Sequence, residues 1–210
     1  MQHIRLFALG GVALAVVAAA AADNGEPAGA ALISHKIVPA TPETRRNGEA
    51  SLVQLRDNSL LLLYGGQAKP GDWDRGEIRQ NRSRDSGRSW SQPQTLFSDP
   101  TRSLFQCGIA RLPGGDLGLT YSSLAHGKDA IKVFRRSADG GRTWSEPTDL
   151  YRATEDGLWV DYPAVLWVDG NLHMAWRHIR NPNTREIMTS LYHFVLPAAA
   201  FTSGGGQAAR

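Results

Sequence analysis

Short apolar or alternating runs, separated by clusters of Gly, Asp, Asn, Ser and Pro, follow one another from residue 51 to residue 196. Runs this short, bounded by turn formers, predict β-strands. A first unit predicts strands over 51–55 and 60–64, joined by Arg56-Asp57-Asn58-Ser59 and followed by Gly65-Gly66. A long loop through Pro70, Gly71 and Trp73 then leads to strands over 77–83 and 90–97. The second unit repeats this punctuation, with strands over 105–112, 117–122, 130–137 and 144–151. A third unit predicts strands over 162–168, 172–178 and 187–196, the first two split by Asp169-Gly170-Asn171. Upstream, residues 31–40 alternate enough for a strand ending at Pro39, and their 33–38 part is available as the missing fourth strand of the third unit.

One octet occurs twice, as Ser83-Arg84-Asp85-Ser86-Gly87-Arg88-Ser89-Trp90 and as Ser137-Ala138-Asp139-Gly140-Gly141-Arg142-Thr143-Trp144. Its chemistry is that of a tight hairpin. The Asp carboxylate accepts N–H groups of its own turn, Gly supplies a positive φ, and Trp anchors the outgoing strand. The two Trp residues are 54 positions apart (144 − 90), the period of a four-stranded propeller blade. The fold class read from this is all-β. The octets resemble the Asp-box, or bacterial neuraminidase repeat, of the sialidase family and related β-propellers, over roughly residues 47–196. That resemblance implies a sialidase-like β-propeller of about three four-stranded blades, half of the family's six. Such a chain is a truncated or internally deleted relative, a gene fragment, or a protomer that needs a partner. Half a propeller leaves two blade faces bare, so self-association or poor solubility is expected.

Composition adds a destination. Arg5 followed by an apolar run over 6–22 and the small residues Ala20-Ala21-Ala22 predicts a signal peptide over 1–22, hence a secreted or periplasmic protein. The apolar run is at the short limit for a membrane span, so no membrane association is expected after cleavage. Residues 23–46 read as a leader with the closing strand, 47–197 as the propeller domain, and 198–210 as an Ala/Gly-rich tail. A single Cys, Cys107, excludes an internal disulfide and reads as a small buried hydrophobe. The net charge of +3 comes from dispersed Arg among Asp and Glu, so no nucleic-acid partner is expected.

The family resemblance also implies a chemistry, the hydrolysis of terminal sialic acids. It uses a Tyr nucleophile paired to a Glu, an Asp acid/base, and three Arg side chains that grip the sugar carboxylate in bidentate fashion. Matched residue by residue, Asp74 in Asp74-Arg75-Gly76-Glu77-Ile78 takes the acid/base role. Tyr162 in Asp161-Tyr162-Pro163-Ala164-Val165 takes the nucleophile role. Trp73 is placed to stack on a sugar face or to pin its loop. Arg46, Arg111 and Arg177 are the candidates for the carboxylate clamp, although Gly48-Glu49-Ala50 stands where the family carries Arg-Ile-Pro. Gln106 opens the second unit where an activating Glu would stand, and its neutral amide cannot act as a base. Two alternatives stay open: Asp74 as a solvated loop residue beside Arg75, and Tyr162 as a structural Tyr at a blade start. The functional expectation is therefore a glycoside hydrolase acting on terminal sugars of glycoconjugates, or a non-catalytic carbohydrate-binding or scaffold propeller that has lost the clamp. His173 and His178, five apart on a strand, face opposite sides and make no metal pair. No zinc spacing or phosphate-binding glycine loop occurs, so neither metal nor cofactor is expected.

Overall fold

Each cluster of turn residues ends a strand, and the strands join only to their sequence neighbours. The computed structural model describes residues 36–69, 75–125, 129–153, 158–180 and 188–197. The expected signal peptide, the expected leader up to His35 and the expected tail from residue 198 lie outside the described residues. The first sheet contains β1 (Arg46–Gln54), β2 (Leu60–Gln67), β3 (Gly76–Ser83) and β4 (Gln94–Phe97). The second contains β5 (Ser103–Arg111), β6 (Leu117–Ala125), β7 (Asp129–Ser137) and β8 (Thr148–Ala153). The third contains β9 (Leu158–Val168), β10 (Asn171–Arg180) and β11 (Met188–Pro197). Every pairing is antiparallel and every sheet is a meander.

Two details depart from the expected layout. Strands β4 and β8 start four residues after Trp90 and Trp144, because a Ser takes over the ladder just past each Trp. Ser91 N–H donates to the Arg82 carbonyl at 2.8 Å, and Ser91 Oγ accepts from Arg82 N–H at 3.0 Å. Ser145 makes the same two bonds to Arg136, at 2.8 and 3.0 Å. The third sheet has three strands among the described residues, and 36–40 form no strand. Pro39 has no N–H to give a ladder there. The rest of the proposed closing strand, residues 33–35, lies outside the described residues.

The octets fold as their residue types require. In the first, Asp85 accepts from Ser89 N–H at 2.8 Å and from the Ser89 and Ser83 hydroxyls at 2.6 and 2.8 Å. Gly87 N–H closes the turn on Ser83 Oγ at 2.8 Å. In the second, Asp139 accepts from Arg142 and Thr143 N–H at 3.0 and 2.9 Å, and from the Thr143 hydroxyl at 2.7 Å. The left-handed residues are Ser86 (φ 59°) and Gly87 in one turn, Gly140 (φ 70°) and Gly141 in the other. The bonds from Ser89, with Ser83 helping, hold the Asp85 carboxyl at about 2. At Asp139, burial pushes upward but the Thr143 and Ser137 bonds outweigh it, again giving about 2.

Between the sheets lie two cores. Leu61, Leu63 and Ile78 of the first sheet meet Leu117, Leu119, Ile131 and Val133 of the second. Phe105, Ala110 and Phe134 of the second meet Val160, Leu172, Met174 and Trp176 of the third. Two tethers reinforce the first seam: Arg82 Nη2 donates to the Gly140 carbonyl at 2.8 Å, and Ile109 N–H to Ser51 Oγ at 3.2 Å. The innermost strands β1, β5 and β9 lie in sequence beside one another across the two seams. Each sheet therefore has two ends. One carries the octet turns and the short first turns; the other carries the starts of β1, β5 and β9 and the β2–β3 loop.

Candidate functional site at the inner strands

The same irregularity interrupts the first strand of all three sheets. The register of β1 on β2 skips between Gly48 and Ser51, so Glu49 and Ala50 stand opposite Tyr64. That of β5 on β6 skips between Phe105 and Gly108, so Gln106 and Cys107 stand opposite Tyr121. That of β9 on β10 skips between Asp161 and Ala164, so Tyr162 and Pro163 stand opposite Trp176. Each is a β-bulge, two residues against one. Glu49 and Gln106 hold φ angles of 54° and 59°, a left-handed conformation that non-glycine residues adopt at an energetic cost. Glu49, Gln106 and Tyr162 thus occupy equivalent positions on three neighbouring strands, at the end of the sheets opposite the octets.

Buried polar groups gather around this row. Gln106 is 3% exposed, Ser122 and Lys132 each 1%. Lys132 Nζ donates to Ser122 Oγ at 2.6 Å, and that hydroxyl lies 2.8 Å from Gln106 Oε1 and 3.1 Å from the Val160 carbonyl. A lysine this buried needs such oxygen partners to keep its charge. The bonds join the second sheet to β9 two residues ahead of Tyr162. Glu49 pairs with Arg46 Nη2 at 2.6 Å. Cys107 sits between the two clusters: burial pushes its thiol far up, the Glu49 charge adds to this and Lys132 opposes it. As the sequence suggested, it is buried and unbridged.

The expected site residues are distributed as follows. Tyr162 is in the bulge row by its backbone; its side chain lies outside the described groups. Gln106 is in the row, where it serves as an acceptor. Arg46 is at this end, bound to Glu49. Arg177 pairs in register with Asp161, next to the third bulge. Arg111 is not with them. It closes β5 at the octet end, five residues and about 16 Å of strand from Gln106, and donates to the Gln54 carbonyl across the seam. Strand polarity removes it from the clamp: a residue at the end of β5 cannot share a site with the start of β9. Trp73 and Asp74 lie outside the described residues. Their neighbour Arg75 borders a cavity of about 430 Å³ with Glu43, Thr44, Glu77 and Asp99. It donates to the Asp99 carbonyl at 3.3 Å.

Glu49 and Lys132 were not singled out by the sequence. Glu49 becomes visible when Glu49-Ala50-Ser51-Leu52, Gln106-Cys107-Gly108-Ile109 and Tyr162-Pro163-Ala164-Val165 are set in one register. Nothing local marks Lys132, which is flanked by apolar residues in an ordinary strand.

The sequence profile described as "BNR repeat-like domain" matches residues 33–146, more than half of the chain. The chain belongs to the BNR repeat-like family. No curated protein matches the sequence. Among solved structures, this BNR-repeat chain resembles an α-L-arabinanase of Penicillium chrysogenum complexed with arabinobiose. The TM-score is 0.60 at 20% identity, covering 77% of this chain and 49% of that one. It also resembles the α-L-arabinofuranosidase Arb93A of Fusarium graminearum (TM-score 0.54, 17% identity, 76% and 48% covered). A third neighbour is the Hadza microbial sialidase Hz136 (TM-score 0.50, 19% identity, 69% and 31% covered). These likenesses establish the β-propeller fold. The chain spans half or less of the length of these neighbours.

Proposed function

We propose that this BNR-repeat protein is exported and acts on terminal sugars of glycoconjugates as a sialidase-type glycoside hydrolase, with Tyr162 as nucleophile and Asp74 as acid/base. The observation that carries the reading is the row of three bulges. It puts Tyr162, a carboxylate and an amide at one level of the inner strands, at the end where the loop containing Asp74 begins and ends. Glycoside cleavage through an oxocarbenium-like transition state calls for negative charge beside the ring and a proton donor at the leaving oxygen. Glu49 supplies a carboxylate in the row, and Asp74 is the donor. Arg46 and Arg177 are the guanidinium groups at this end that suit a sugar carboxylate. The arabinan- and sialic-acid-active neighbours are in keeping with a glycan ligand.

A second reading is a non-catalytic glycan-binding propeller. Gln106 favours it, because the amide at the second bulge cannot take a proton, and so does Arg111, whose position leaves the clamp short of its third member. The deciding experiment compares the purified mature chain with Asp74→Ala and Tyr162→Phe on fluorogenic α-sialosides and α-L-arabinofuranosides. Sialoside hydrolysis abolished by both substitutions supports the hydrolase and its specificity. Hydrolysis of the arabinoside alone keeps the enzyme and overturns the specificity. A folded chain that binds sialosides without cleaving them establishes the second reading.

A further inference from the structure

Among the described residues, Arg46, Arg79, Arg102, Arg136 and Arg152 pair with carboxylates. Arg56, Arg82, Arg111 and Arg142 do not, and these four meet at one place. Arg56 in the β1–β2 turn, Arg82 on β3, Arg111 at the end of β5 and Arg142 in the second octet line a cavity of about 250 Å³ at the octet end of the first seam. Two carboxylates, Asp57 and Asp139, line it as well. Each is committed to its own turn. Asp57 accepts from Ser59 N–H at 3.1 Å, and Asp139 accepts from Ser137 Oγ at 2.9 Å besides its bonds from the Arg142 and Thr143 N–H groups. The surplus of positive charge in the cavity is therefore not neutralised within it.

The four guanidinium groups also keep donors to offer, since each carries several N–H groups. Arg82 gives one to the Gly140 carbonyl at 2.8 Å, Arg142 one to the Asp139 carbonyl at 3.3 Å, and Arg111 one to the Gln54 carbonyl. Arg56 has no acceptor among the described residues. Its guanidinium occupies the space that a Cβ at Gly115 would fill, so it reaches from the first sheet onto a turn of the second. Arg82 registers the crowding: burial and then the Arg142 charge push its guanidinium down, and Asp57 and Asp139 do not offset them. We infer that this cavity binds a tetrahedral oxyanion, sulfate or phosphate, as the free ion or as an ester on a sugar. Such an anion carries charge enough to meet the surplus, and its oxygens can be reached from several sides at once. A carboxylate, with both oxygens in one plane, is satisfied by a single guanidinium fork. The cavity is smaller than the about 300–1,000 Å³ of drug-sized ligand sites, which suits a small anion or one charged group of a larger molecule. It lies at the end of the sheets opposite the bulge row, so its occupancy is independent of the hydrolase reading.

Isothermal titration calorimetry of the purified chain at fixed ionic strength tests this. Inorganic sulfate and phosphate are expected to bind at one site, and acetate much more weakly. Arg56→Gln and Arg142→Gln alter exposed side chains that take no part in the seam tethers. Each is expected to weaken sulfate binding about tenfold or more, the loss of one hydrogen bond between charged groups. Arg88→Gln is the control, because Arg88 holds the octet position of Arg142 in the first repeat but lies outside the cavity. It should bind like the parent. Equal melting temperatures without anion separate lost binding from lost folding. Glucose 6-sulfate bound more tightly than inorganic sulfate assigns the site to a sulfated sugar, and weaker binding assigns it to the free ion. No binding by the parent, an Arg56→Gln variant that binds like the parent, equal losses in Arg88→Gln and Arg142→Gln, or acetate bound as tightly as sulfate overturns the inference.

Discussion

Gly108 lies just past the second bulge, where β5 passes close to β9. A Cβ built on it would sit 2.7 Å from Val165 Cγ2, 3.0 Å from Thr120 Oγ1 and 3.3 Å from the Pro163 carbonyl oxygen. Comfortable carbon contacts are about 3.5–4.0 Å, so Gly108→Ala must drive Val165 and the backbone of β9 outward by about an ångström. Overpacking of this kind costs about 1–3 kcal/mol. The smaller conformational freedom of Ala in the unfolded chain returns about 0.4–1 kcal/mol. The expected net loss is about 1–2 kcal/mol, which at a urea slope of about 2 kcal/mol per molar lowers the midpoint by roughly 0.5–1 M. Gly48 is the internal control. It stands beside the first bulge, has nothing within 4 Å of its Cβ position, and its Ala variant should match or exceed the parent. In the double variant Gly108→Ala/Val165→Ala the obstructing methyls are gone, so the two changes should cost less together than their sum. Urea midpoints by tryptophan fluorescence measure all four. A Gly108→Ala midpoint equal to the parent's, or strict additivity with Val165→Ala, would refute the close approach of β5 and β9.

The two octets make two further predictions. Ser86 holds φ 59° where its counterpart Gly140 holds 70°, so Ser86→Gly should raise thermal stability by about 0.5–1 kcal/mol by relieving a left-handed serine. A lower melting temperature would show that the Ser86 side chain contributes something its backbone does not reveal. Asp85 and Asp139 have folded pKa values of about 2 against 3.8 unfolded. Their stabilisation is therefore complete above pH 3.8 and is lost as the pH falls toward 2. In melting curves taken from pH 5 to pH 2, Asp139→Asn should be less stable than the parent at pH 5 and should close on it toward pH 2. Parallel curves would sink this account.

How much was legible in the sequence follows from how local each cause is. The octets declare themselves because every group in Ser83-x-Asp85-x-Gly87-x-Ser89 bonds within its own turn, and their spacing exposes the sheet repeat. Strand limits were legible at turns made by Gly and Asp. They were missed by four residues at β4 and β8, where Ser91 and Ser145 imitate a ladder partner. The bulges were hidden, since Glu49 and Gln106 in left-handed backbone contradict their own preferences and are held by neighbouring strands. Lys132 was hidden for the same reason: a lysine inside an apolar strand acquires its oxygen partner from Ser122, ten residues back in the chain and opposite it on β6. Arg111 marks a further limit: residue type does not tell the direction in which β5 runs, and that direction decides which end of the sheet the side chain reaches.

The repeated bulge separates what the fold needs from what a ligand would meet. Each bulge is fixed by the backbone register of its strand with the next one, and the residue that opens it differs freely in size and charge: Glu49, Gln106 and Tyr162 occupy the three. The inner strands therefore work as a row of identical sockets, in which chemistry can be exchanged one side chain at a time while the sheets, their seams and their turns stay as they are.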